Sequence, residues 1–99
     1  MRLSPEHIQH IKSTAHTVLG EGVRIVLFGS RVDNHAKGGD VDLLIEVPQP
    51  LAEPALMSAR IASRISRAMN GRKVDVLFKA PNLQEQPIHQ IAARQGVLL

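Results

Sequence analysis

The chain has 99 residues, no cysteine, two phenylalanines and neither tryptophan nor tyrosine. That length suits one compact domain over residues 1–99, and the lack of cysteine excludes disulfides and thiolate metal sites. The net charge of +3 is a weak pull toward anions, and the missing aromatics argue against a surface that stacks nucleic-acid bases.

In chain order, Ser4-Pro5-Glu6 has the form of a helix start: a capping hydroxyl, a proline in the first turn and an acid at the positive dipole end. Ile8, Ile11, Ala15, Val18 and Leu19 recur at helical spacing, which predicts a helix over 5–19 stopped by Gly20-Glu21-Gly22. No apolar core of signal-peptide type follows the N-terminus, and the longest apolar runs are too short to span a bilayer. A cytoplasmic protein that does not enter a membrane is expected.

Val23–Phe28 is nearly all apolar and β-rich, as in a strand buried on both faces. Gly29-Ser30 follows, then a polar stretch, 31–39, expected to form a short helical turn and a loop. Asp40–Val47 is a second strand stopped by Pro48. Alternation puts Asp40 and Asp42 on one face, with Val41 and Leu43 on the other. Residues 51–70 carry the longest helical pattern, with Met57, Ile61, Ile65, Ala68 and Met69 as its apolar stripe and Asn70-Gly71 as its stop. Lys73–Lys79 is a third strand and contains Asp75. A last helix has Pro87 near its first turn and ends before Gly96. The order α-β-α-β-α-β-α predicts an α/β (α+β) domain, a small mixed sheet with helices packed on it.

Three aspartates within apolar strands need compensation for their charge. Two carboxylates at i and i+2 on one strand face can share a cation, and a third from a neighbouring strand adds to an oxygen donor set of the kind Mg²⁺ takes. Clustered like charges also raise pKa, which suits a general base. Phosphate needs backbone N–H donors and close approach, which a strand followed by Gly29-Ser30 supplies; Arg31 adds a fixed positive charge. Singly, each feature has a plainer explanation: a turn, a solvated strand face or an exposed strand residue. The ordered conjunction carries the weight.

The segment LFGSRVDNHAKGGDVDLLIE, Leu27 to Glu46, resembles the signature of the polymerase-beta-like nucleotidyltransferase superfamily, and KVDVLF resembles the strand of its third carboxylate. The chain is similar throughout to the minimal nucleotidyltransferases, antitoxins paired with HEPN-type toxins. One departure is that many relatives have an Ala-Arg-Gly run shortly after Gly-Ser, where this chain has Arg31-Val32-Asp33. The resemblance implies a nucleotidyltransferase-like fold. It implies that Asp40, Asp42 and Asp75 act in catalysis and hold two Mg²⁺ ions, and that Gly29, Ser30 and Arg31 bind ATP or another nucleoside triphosphate. It further implies transfer of AMP to a tyrosine of the toxin. The alternative is a binding module that neutralises a partner by contact alone.

Three features have competing readings. Arg60, Arg64 and Arg67 flank the apolar stripe of the long helix, either as a solvated face or as a docking surface for an acidic partner or nucleic acid. His7 and His10, at i and i+3, fit a metal only if further ligands join them. His35 is either an exposed loop histidine or a contact to nucleotide.

Overall fold

A computed structural model of the chain describes residues 3–29 and 40–99, without the side chain of Ala93. The first helix, α1, is Pro5–Leu19. Its capping follows from the sequence: Ser4 Oγ accepts from the His7 N–H at 3.1 Å, and the Gly20 N–H donates to the His16 carbonyl at 2.9 Å. Ile11 and Ala15 are fully buried, and Ile8, Val18 and Leu19 pack against the same core.

Strand β1, Arg24–Phe28, pairs antiparallel with β2, Val41–Glu46. Helix α2 is Pro54–Ala68, shorter than the 51–70 expected. Leu51 stays outside it because the Asn82 side chain holds its backbone, accepting from the Leu51 N–H at 2.9 Å and donating to its carbonyl at 2.7 Å. At the other end Asn70 and Gly71 both take left-handed backbone, with φ of 59° and 80°. The Gly71 N–H returns to the Ser66 carbonyl at 2.8 Å and closes the helix. Ile61, Ile65 and Met69 of the expected stripe are buried and Met57 is half-buried, whereas Ala68, in the last turn, is exposed.

Strand β3, Val74–Lys79, lies parallel to β2, the crossover being α2. Helix α3, Pro87–Gln95, ends before Gly96 as the sequence predicts. An unpredicted two-residue strand, β4 (Val97–Leu98), then pairs antiparallel with β1. The four-stranded mixed sheet has the order β3-β2-β1-β4. Gly96 makes β4 possible: a Cβ there would run into the Val26 side chain and approach the Leu27 carbonyl to 3.0 Å. The chain therefore leaves α3 directly against β1, and the Leu99 N–H donates to the Ile25 carbonyl at 2.9 Å.

The two sheet faces differ. Ile25, Leu27, Val41, Leu43, Ile45, Val74 and Phe78 join α1 and α2 in the main core. On the opposite face Val26 and Leu44 pack with Ala92 of α3, flanked by Phe28 and Leu77. Among the described residues, no helix is long and apolar enough to cross a membrane.

Candidate active site

The strand registers lay three rows across the α3 side of the sheet. The middle row is Val26–Leu44–Leu77, apolar and covered by Ala92. One flanking row is Arg24–Glu46–Lys79, and the other is Phe28–Asp42–Asp75. Asp42 thus stands directly opposite Asp75 on the neighbouring parallel strand, where side chains on one face are nearest neighbours. Asp40 immediately precedes β2, two residues from Asp42, and alternation puts it on the same face.

These aspartates meet different surroundings. Asp42 is half-buried between Phe28 and Asp75, whereas Asp40 and Asp75 are exposed. The expectation that all three carry a burial penalty therefore holds for Asp42 alone. Its carboxyl is pushed above the usual aspartate range, first by loss of hydration and then by the negative charges of Asp75 and Asp40; Lys73 opposes the shift. Lys73 Nζ also lies 3.9 Å from Asp75 Oδ2, a loose pair with both groups largely in water. Lys73 is a site residue that the sequence motifs do not mark; its place two positions before Asp75 on the same strand is the available signal.

Gly29 comes up against Asp42. Its φ is +78°, a conformation that side chains resist. A Cβ built on it would collide with Asp42 Oδ2 and lie 3.2 Å from Asp42 Cγ. Backbone and carboxylate share a space that no side chain at position 29 could enter. Ser30, Arg31, His35 and the whole 31–39 turn lie outside the described residues.

Among the described residues, no three His, Asp or Glu side chains are grouped as a ready-made metal site. For Mg²⁺ this does not disqualify the aspartates. That ion usually takes one or two carboxylates and completes its shell with water and phosphate oxygens. A half-buried carboxylate with a raised pKa beside two others also has the negative potential that a cation relieves. The histidine pair is different. His10 Nε2 lies 3.4 Å from the Arg64 carbonyl, and His7 Nδ1 is buried with no hydrogen-bond partner among the described residues. Arg60, Arg64 and Arg67 are all exposed.

A separate hollow of about 380 Å³ lies at the other end of the sheet, lined by Arg24, Glu46, Val47, Pro48, Lys79 and Ala80 among others. It lacks the carboxylate row, and its basic groups pair with Glu46.

A family model described as a nucleotidyltransferase domain matches residues 8–96, and the chain belongs to that family. The match begins within α1 and takes in the carboxylate row and α3. No curated protein matches the chain.

Proposed function

We propose that this nucleotidyltransferase transfers AMP from ATP, with Mg²⁺, to a tyrosine hydroxyl of a HEPN-type toxin and so acts as its antitoxin. The observation that carries the chemical part is the register match of Asp42 with Asp75, beside a glycine whose missing side chain leaves room against Asp42. The toxin partner rests on the resemblance of the Leu27–Glu46 signature to the minimal nucleotidyltransferases.

In this reading Asp40, Asp42 and Asp75 hold two Mg²⁺ ions, and Gly29, Ser30 and Arg31 bind the triphosphate. Bound Mg²⁺ would supply charge neutralisation at the entering and leaving oxygens. The protein's own contributions follow from where its residues lie. The chain at Gly29 can approach a phosphate closely because it has no Cβ. Asp75, exposed on the edge strand, is accessible to an acceptor and can take the proton of its hydroxyl. The acceptor oxygen bonds to the α-phosphorus, the bond to the β-phosphate oxygen breaks, and pyrophosphate departs. Lys73, beside Asp75, adds positive charge where the carboxylates would otherwise repel an incoming triphosphate. Most of the acceleration then comes from positioning and fixed charge.

The test is incubation with ATP, Mg²⁺ and the product of the neighbouring gene, followed by intact mass spectrometry of that product. The expected result is addition of AMP by the wild type and none by an Asp40→Ala, Asp42→Ala variant. Neutralisation of the toxin without any added mass would favour the contact-only binding module instead.

A further inference from the structure

Lys73 is fixed at one end and loose at the other. Its carbonyl accepts from the Val41 N–H at 2.9 Å, so its backbone is held against the residue between Asp40 and Asp42. Its position two residues before Asp75 puts its side chain on the sheet face that carries Asp42 and Asp75. There Nζ lies 3.9 Å from Asp75 Oδ2, and the same ammonium opposes the upward shift of the Asp42 carboxyl. Lys73 thus acts on carboxylates of two neighbouring strands.

The Lys73 side chain is nonetheless 68% exposed, and that of Asp75 51%. A pair this open and this long is weak and easily exchanged. An ammonium on a flexible four-carbon stem can leave Asp75 for another anion while its backbone stays in place. Its charge has opposite effects on the two ligands that the reading above requires. It repels a bare divalent cation approaching the carboxylates, and it attracts a triphosphate that the carboxylates would repel. A cation already bound to triphosphate arrives with net negative charge, so Lys73 favours that form over the free ion.

We propose that Lys73 sets the form in which the divalent ion enters the site: it shields the Asp75 carboxylate from a bare cation and releases it when the ion arrives on a nucleoside triphosphate. The proposal rests on the metal and nucleotide reading above and adds the positioning residue that orders their binding. Lys79 provides the internal comparison. It ends β3 and pairs with Glu46 and Glu85. Six residues of strand put it about 20 Å from Lys73, beyond the screening length of about 10 Å at 0.1 M salt.

The experiment titrates Mn²⁺ into the full chain without nucleotide and follows the signal of free Mn²⁺ by electron paramagnetic resonance. In parallel, fluorescently labelled ATP is titrated in EDTA. Lys73→Met should bind Mn²⁺ about two- to fivefold more tightly than the wild type, and labelled ATP about two- to fivefold more weakly. Lys73→Arg should restore both values, and Lys79→Met should leave both unchanged. Asp42→Asn should weaken Mn²⁺ binding in either background, which ties the signal to the carboxylates. Opposite shifts are the signature, because a lysine needed only for folding would weaken both ligands together. Equal Mn²⁺ affinity in wild type and Lys73→Met, or shifts of the same sign for the two ligands, overturns the proposal and leaves the metal reading standing. Mn²⁺ uptake that Asp42→Asn does not weaken, with or without ATP, overturns the metal reading and the proposal with it.

Discussion

The two outer rows on the α3 side of the sheet are built on the same three strands in the same register, yet they treat charge in opposite ways. At one end Glu46 sits between Arg24 and Lys79, with Arg24 Nη1 3.2 Å from one carboxylate oxygen and Lys79 Nζ 3.8 Å from the other. Lys79 also reaches Glu85 at 4.0 Å. Opposite charges alternate, so the row satisfies itself. At the other end Asp42 faces Asp75 with Asp40 nearby, and Lys73 Nζ lies 3.9 Å from Asp75. Like charges side by side on neighbouring strands destabilise a sheet. Among the described residues the Glu46 row alternates in sign across the three strands, while the other row sets Asp42 and Asp75 side by side. The comparison teaches that the position of a carboxylate matters less than whether its neighbours already neutralise it.

The largest expected effect tests this directly. Asp42→Asn should lower nucleotide transfer by about 10²–10³-fold, the loss typical when one fixed electrostatic contact to a reacting centre is removed. Single-turnover assays with labelled ATP measure it. Glu46→Gln, the matching change at the satisfied end, should leave transfer unchanged. Equal losses from both would mean that the two rows do not differ in role.

Gly29→Ala sharpens the comparison at backbone level. A side chain at a φ of +78° costs about 1–2 kcal/mol, and its methyl would also displace the Asp42 carboxylate. Urea denaturation should give a lower midpoint, with transfer impaired beyond the fraction unfolded. A smaller effect belongs to Glu46→Gln in the same denaturation experiment. Its partners Arg24 and Lys79 are 65% and 47% exposed at the side chain, so water screens the pairs and the loss should be about 0.2–1 kcal/mol.

The smallest effect is a change of slope with pH in metal-free protein. The Asp42 carboxyl is raised above the free value of 3.8, so between 3.8 and its folded value the folded state holds more protons than the unfolded one. Stability attributable to this group falls as pH rises through that window, and the penalty is complete above it. Asp42→Asn removes the penalty. Relative to wild type, the variant should gain in denaturation midpoint between pH 3 and pH 7, and Mg²⁺ with ATP should narrow the difference by stabilising the wild type alone. A difference that does not change with pH would show that neither burial nor the neighbouring carboxylates raise the Asp42 carboxyl.

Much of this arrangement is legible in the sequence. Capping residues and 3.6-residue periodicity predicted α1 at 5–19 with the bounds it has, and Pro87 and Gly96 bracketed α3. The start of α2 was misplaced because Asn82, remote in sequence, holds Leu51 outside the helix. Strand β4 was not predicted because two residues have no period to detect; pairing to β1, allowed by Gly96, makes them a strand. Within the candidate site, alternation alone put Asp40 and Asp42 on one face. A third carboxylate from a neighbouring strand is expected beside them, but its register directly opposite Asp42, the burial of Asp42 alone among the three and the approach of Lys73 depend on strand pairing.

By itself, then, the sequence determined the elements, their faces and the ordered set of Gly29, Asp40, Asp42 and Asp75. These depend on local propensities and on the two- and 3.6-residue periods, which are written in neighbouring residues. Only the tertiary structure decided which row alternates in sign and which sets two carboxylates side by side. That outcome depends on strand order and register, which join Glu46 to Lys79 and Asp42 to Asp75 across a gap of more than thirty residues in the chain.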